Sequence, residues 1–361
     1  MRVGATLRPV GGGPAGALAT RGGCWQDRRM SAQSARRGRR LAPGAGALLA
    51  VGALLVWWLV PEGPPVPHGS AVFSTGVRSG VYHKYGDLLE EYLRRDLPHV
   101  RVALVPSEGS RQNLERVAAG SAQFTFATAD VVAAYRREHR PGWEHLRGCA
   151  RLYDDYVQLV VPRGSRVRSV ADLRGLRVGV GQAGSGVRLV ADRLLRAAGL
   201  DPATALTEVL HGIDRMPDEL AAGRLDAFFW TGGLPTAAVQ RLTGRFPVRL
   251  VPLEAGLLRR LHTATGPDGA FYRAADIPAD AYGPTGGAAA VPTVAVANLL
   301  VTTDRVDEDL AEGFTRTVIG SRDRIGRVVH PAQLVDLRTA IYTDPLPLHE
   351  GAVRYYRSAK P

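Results

Sequence analysis

The sequence predicts an α/β protein built as two similar lobes with a cleft between them, preceded by an N-terminal transmembrane or signal helix. Three observations lead there. From Ala71 onward, short apolar runs alternate with helical patterns, the mark of mostly parallel sheets. The order strand, glycine-rich turn, Ser-Gly-Val, amphipathic helix occurs twice, at "AVFSTGVRSGVYHKYGDLLEEYL" (Ala71–Leu93) and at "RVGVGQAGSGVRLVADRLLRAAG" (Arg177–Gly199). A helix that stops at a glycine and gives way to an aromatic-bearing strand also occurs twice, in Leu114–Thr128 and in Leu220–Thr231. Gly120 and Gly223 suit the left-handed position that ends a helix.

The first element is a basic tail, residues 1–40. Residues 1–60 hold nine Arg and one Asp, whereas the remaining 301 residues hold 37 basic and 33 acidic side chains. The net charge of +12 therefore belongs mostly to the tail, and a nucleic-acid partner, which needs a basic face on the folded part, is not expected. Next comes "LAPGAGALLAVGALLVWWLV" (Leu41–Val60), twenty residues without a charge. At about 1.5 Å per residue this is long enough to cross a bilayer core. The cluster "RRGRR" (Arg36–Arg40) keeps its N-terminal side cytoplasmic, and Trp57 and Trp58 suit the far interface. Everything after Pro61 then lies on the extracytoplasmic face. Both an uncleaved single-pass anchor and a cleaved signal peptide fit. No small-x-small cleavage site follows Val60, and residues 61–70 read as a Pro-rich tether. Met30 offers a second start. Cys24 and Cys149 fall on opposite sides of the apolar segment, so a disulfide between them is not expected.

Each lobe aims a Gly/Ser turn and a helix N-terminus at the C-terminal edge of its sheet, the edge where open α/β sheets bind ligands. Two such edges facing each other form a cleft that can close by hinge bending. Gly179, Gly181 and Gly184 spell G-x-G-x-x-G, yet the acid that a dinucleotide fold needs at the end of a second strand is poorly placed. Asp201 falls in a helix stop and turn, and Glu208 comes seven residues late. No nucleotide cofactor is expected. The N–H groups of a helix N-terminus still attract an anion of any kind, a carboxylate included. Ser79 and Ser185 add donors, as do Ser107, Ser110 and Asn113 in "PSEGSRQNL". A plain helix cap is the alternative for each serine. The nine histidines form no metal motif, and neither Ser110 nor Ser185 has the G-x-S-x-G surroundings of a nucleophile. Asp154-Asp155 reads as a turn leading into the strand "YVQLVV". The sequence thus reads as a binding protein, with no enzyme activity, cofactor or metal.

Five motifs then carry a family likeness. They are "TGVRSGVYHKYG" (Thr75–Gly86), "SEGSRQNLERVAAGSAQFTFATAD" (Ser107–Asp130), "LRGLRVGVGQAGSG" (Leu173–Gly186), "GRLDAFFWTGGLPT" (Gly223–Thr236) and "PLPLHEGAVRYYR" (Pro345–Arg357). In this order the chain resembles the TAXI family of solute-binding proteins, the extracytoplasmic receptors of one class of TRAP transporters. The resemblance implies a type II periplasmic-binding-protein fold, with residues 71–158 and 299–361 in lobe 1 and residues 159–298 in lobe 2. Tyr156–Pro162 and Thr293–Thr302 would be the crossing strands. It implies a small organic anion as ligand, glutamate- or dicarboxylate-like, and a TRAP-type membrane permease as partner. By motif, the first-lobe contacts would be Thr75, Gly76, Ser79, Gly80, Tyr82, Ser107, Ser110 and Asn113. The second-lobe contacts would be Gly184, Ser185, Gly186, Trp230 and Pro235. The first turn departs from the family's Thr-Gly-Gly: here it is Thr75-Gly76-Val77, followed by Arg78. Arg78 is either a cleft cation for a carboxylate or a solvated turn residue; Trp230 is either a cleft wall or packing between lobes. The rival readings are a receptor of an ABC-type uptake system and a membrane-tethered ligand sensor.

Overall fold

The structure, a computed structural model, describes residues 67–283 and 289–359. The tail 1–40, the apolar segment 41–60 and residues 61–66 of the tether lie outside the described residues, as do Cys24 and Met30. Among the described residues, no helix is long and apolar enough to cross a membrane. The chain enters the sheet slightly before the expected end of the tether, since Gly69 and Ser70 already pair with Val100 and Arg101.

Strand β1 (Gly69–Ser74) leads into helix α1 (Val81–Asp96). Tyr85, Leu89 and Leu93 recur four residues apart on the buried face of α1, and Arg94 and Arg95 suit its negative C-terminal end. Then follow β2 (Val100–Val105), α2 (Ser110–Ala118), β3 (Phe124–Thr128) and α3 (Ala129–Arg137). The long strand β4 (Leu146–Pro162) comes next. A second α/β run holds β5 (Arg177–Gly179), α4 (Gly186–Ala197), α5 (Pro202–Ala205), β6 (Thr207–Val209), α6 (Met216–Ala221) and β7 (Ala227–Gly232). In α4, Val187, Val190, Ala191 and Leu194 keep the i, i+3, i+4, i+7 spacing of a buried stripe. The chain continues through α7 (Ala237–Thr243), β8 (Val248–Val251), α8 (Ala255–Thr265), β9 (Tyr272–Ile277) and β10 (Val291–Thr303). It ends with α9 (Glu308–Ile325) and α10 (Glu350–Ser358). The expected helix stops are in place: Gly120 and Gly223 have φ of +76° and +68° just beyond α2 and α6.

The strands lie in the order β2-β1-β3-β10-β4-β7-β5-β6, with β8 also on β4 and β9 also on β10. The expectation of mostly parallel pairing holds only within each run. Strand β1 pairs in parallel with β2 and β3, and β5 with β6 and β7. Every pairing of β4 and β10 with another strand is antiparallel. These two long strands are shared. Strand β4 pairs with β10 from Leu146 to Tyr156 and with β7 from Tyr156 to Val160. Strand β10 pairs with β9 up to Val296 and with β3 from Asn298 to Val301. A strand long enough to serve two sets of neighbours ties the halves through backbone hydrogen bonds. One correction follows: Asp154 and Asp155 form no turn. They stand inside β4, opposite Ala297 and Val296. The strand is already running because Leu146, Cys149, Ala150, Leu152 and Tyr153 before them are buried.

The apolar core divides in the same place. One cluster draws its buried members from residues 157–296. Two others draw theirs from before Val157 and after Val296. The C-terminal motif serves packing. His349 caps α10 by accepting the Gly351 N–H, and its Nε2 sits 3.1 Å from the Val306 carbonyl. Gly351 lies so close to α9 that a Cβ there would meet the Glu308 carbonyl oxygen at 2.0 Å. The Tyr356 hydroxyl donates to the Cys149 carbonyl at 3.0 Å. Cys149 itself is fully buried, and burial pushes its thiol up to about 12, which leaves it unreactive.

Candidate functional site

A cleft enclosing about 600 Å3 of atom-free space, part of it open to solvent, lies where the two halves meet. Its first wall comes from the turn after β1, the start of α1 and the start of α2. Its second wall comes from the turn between β5 and α4, the start of α6 and the end of β7. The floor holds Asp155 and Thr231, at the point where β4 leaves β10 for β7. Both α1 and α2 begin without a side-chain cap, although in the first turn of α2 the Gln112 N–H is taken by the Gly184 carbonyl.

Seven of the expected contact residues line this cleft: Gly76, Gly80, Tyr82, Ser110, Ser185, Gly186 and Trp230. The Tyr82 hydroxyl donates to Asn298 Oδ1, and its ring stands 5.5 Å from that of Phe126. Ser110 Oγ accepts from the Thr128 N–H at 3.2 Å. Ser185 is both cap and lining, accepting from the Arg188 N–H at 3.2 Å. Trp230 lines the cleft and packs into the core cluster of residues 157–296, not into a cluster shared by both halves, while its Nε1 donates to Thr236 Oγ1 at 2.9 Å.

The other seven lie outside the lining. Thr75 is fully buried, with Oγ1 3.1 Å from His83 Nδ1. Asn113 is a strut: its Nδ2 donates to the Thr75 and Phe126 carbonyls at 2.7 and 2.9 Å, and its Oδ1 accepts from Ser74. Ser107 ties its own turn together, donating to the Thr75 carbonyl and accepting from the Gly109 N–H. Arg78, Ser79 and Ser107 border an adjoining, open groove that shares Val77, Glu108 and Gln182 with the cleft. Arg78 is exposed there. Pro235 follows a cis peptide bond beyond the end of β7.

Gly184 is the instructive one. Its N–H donates to Glu108 Oε2 at 2.8 Å, and its carbonyl accepts from the Gln112 N–H at 3.1 Å. A Cβ at Gly184 would lie 2.6 Å from that carboxylate oxygen. The glycine turn thus holds an anion, as a loop ahead of a helix N-terminus should, but the anion is Glu108 from the opposite wall. The dinucleotide motif is also accounted for. Glu208 does stand on a strand, β6, but Arg188 takes both of its oxygens. Gly181 has φ of +85°, and a Cβ on Gly179 would strike Met216.

Sequence reasoning missed Asp155, Thr128, Thr231, Gln182, Met216 and Glu108, all of which line the cleft. Asp155 is 4% exposed, and burial pushes its carboxyl up to about 7 against a lowering hydrogen bond with Asn298. Its Oδ1 has no hydrogen-bond partner, nor do the buried hydroxyls of Thr128 and Thr231. Among the described residues, no Arg, Lys or His lines the cleft. The signal in the sequence was a pair of acids directly ahead of the run Tyr156–Val161, which the structure places in the middle of β4.

A family model described as the NMT1-like family matches residues 73–359. Solved structures with a similar chain path include the alkanesulfonate-binding protein SsuA from Xanthomonas axonopodis pv. citri bound to MOPS. It is 19% identical, with 83% of this chain and 86% of that one covered at a TM-score of 0.45. A putative L-cystine ABC transporter from Listeria monocytogenes is 15% identical, with 74% and 98% covered and a TM-score of 0.47. The probable amino-acid ABC transporter extracellular-binding protein YtmK from Bacillus subtilis is 14% identical, with 74% and 97% covered and a TM-score of 0.44.

Proposed function

The chain belongs to the NMT1-like family, and we propose that it is a solute receptor which holds a small organic molecule in the cleft between its two halves. The observation that carries this reading is the floor of the cleft. Three buried polar atoms, on Thr128, Asp155 and Thr231, lack partners there, beside two uncapped helix starts. Buried polar groups are rarely left unpaired, so a ligand that supplies their partners fits the site. The lobes of this receptor are residues 71–158 with 299–361, and residues 159–298. Strands β4 and β10 cross between them and act as the hinge. Helix starts suit a carboxylate end of the solute, while Tyr82 and Trp230 give it apolar wall.

The receptor works on the extracytoplasmic face, held there by the apolar segment 41–60 or released if that segment is cleaved. It hands its solute to a membrane transporter. The Listeria and Bacillus proteins are named for ABC transporters, and a TRAP-type permease is the class that the motif resemblance implies. The adjacent gene separates them: an ATPase subunit marks the first, a large polytopic permease the second. The receptor reading is tested by a thermal-shift screen of the full chain with amino acids, amines, dicarboxylates and keto acids. A ligand at 100 times its Kd stabilises by about 2.7 kcal/mol. A shift with none of these classes refutes the reading.

A further inference from the structure

Two adjacent acids on β4 meet opposite fates. Side chains alternate along a strand, so Asp154 and Asp155 point to opposite faces. Asp154 is paired twice, with Arg151 at 2.6 Å and with Arg273. Asp155, on the cleft floor, has no cation, and its Oδ1 has no partner at all. The second acid of the cleft, Glu108, already spends one oxygen on the Gly184 N–H. The walls add hydroxyls, backbone and apolar groups but, among the described residues, no basic side chain. A carboxylate sealed away from water needs a counter-charge or a proton. The protein supplies a counter-charge to Asp154 and withholds it from Asp155.

We propose that Asp155 receives a protonated amine of the solute, so that this cleft selects an ammonium-bearing molecule of zero or positive net charge over an organic anion. The inference rests on the receptor reading and sharpens it. An ammonium group brings three donors, which the Asp155 carboxylate and the Thr231 and Thr128 hydroxyls can accept. A dicarboxylate would instead place two more negative charges beside Asp155 and Glu108 with no side-chain cation to offset them. This departs from the glutamate- or dicarboxylate-like ligand that the motif resemblance implies.

The test is calorimetric titration of the full chain at pH 8 with matched probes: γ-aminobutyrate against butyrate, and putrescine against succinate. The amine-bearing member of each pair is expected to bind at least tenfold more tightly. Asp155→Asn is expected to remove at least tenfold of that preference without lowering the Tm of the empty protein. The comparison within each pair needs no variant and stands if the substituted chain does not fold. Equal or tighter binding of butyrate or succinate overturns the inference and leaves the receptor reading in place. An amine preference unchanged in folded Asp155→Asn overturns the role of Asp155. Binding by none of the probes counts against the receptor reading itself and takes the inference with it.

Discussion

Replacing Asp155 by Asn should change how the stability of the empty protein depends on pH. Burial raises this carboxyl from its ordinary 3.8 to about 7. The folded protein therefore holds the proton more tightly than the unfolded chain does. Stability from this group is fully present below pH 3.8 and is lost as pH rises through 7. Integrated between pH 6 and pH 8, the loss is about 1.4 kcal/mol; over the whole span it reaches about 4 kcal/mol as an upper figure. For a folded part of about 290 residues 1.4 kcal/mol corresponds to a Tm change of about 2–3 °C. An amide of the same shape has no proton to lose. The assay is thermal or urea unfolding of both proteins at pH 6 and pH 8, read as the difference between them, so that every other titrating group cancels. The Asp155→Asn variant should gain on the native protein as pH rises, and exceed it in stability at pH 8. Parallel pH profiles for the two would refute the reasoning, since they would mean that Asp155 is as well solvated when folded as when unfolded.

Three further outcomes follow from the same geometry. Gly184→Ala puts a methyl 2.6 Å from the end of the flexible Glu108 side chain, so the carboxylate should swing off the backbone N–H of residue 184 and that bond between the walls should be lost. Denaturant unfolding should show a loss of about 1–3 kcal/mol, the worth of one charge-assisted hydrogen bond, and unchanged stability would show that this bond contributes nothing. Gly351→Ala drives a methyl into the α9 backbone, and thermal melting should report a loss of about 3 kcal/mol or more. Asp268 lies between Arg193, at 2.7 Å, and Arg137. Asp268→Ala leaves the buried Arg193 guanidinium without its carboxylate, and denaturant unfolding should show a loss of about 3–5 kcal/mol; full retention of stability would show that the pair is already solvated.

Much of the architecture was legible along the chain because its signals are local. Helix stripes, glycine stops and apolar strand runs are short-range patterns, and the duplicated order of strand, turn and helix showed that two units repeat. Family motifs extended this to the crossing strands. The contact residues were harder. Ser110 could be placed near a cleft because turns at sheet edges face ligands, whereas Gly76, Gly80 and Tyr82 were named only through the family resemblance. Asn113 and Ser107 sit in the same motif but turn inward, and nothing in a one-dimensional pattern separates a serine that lines a wall from one that ties a turn.

By itself the sequence determined an α/β chain with two repeated units, a basic tail ahead of a charge-free segment of membrane length, and glycine turns ahead of helix starts. Only the tertiary structure decided what those turns meet. Gly184 faces Glu108, 76 residues away in the chain, and so spends its N–H on the protein itself. Asp155 sits in mid-strand with Arg151 and Arg273 on the far side, taken by its neighbour. Pairing of charges depends on which face of a strand a residue occupies and on what the opposite wall brings within hydrogen-bonding reach. That is a property of chain packing over long separations, and no local pattern encodes it.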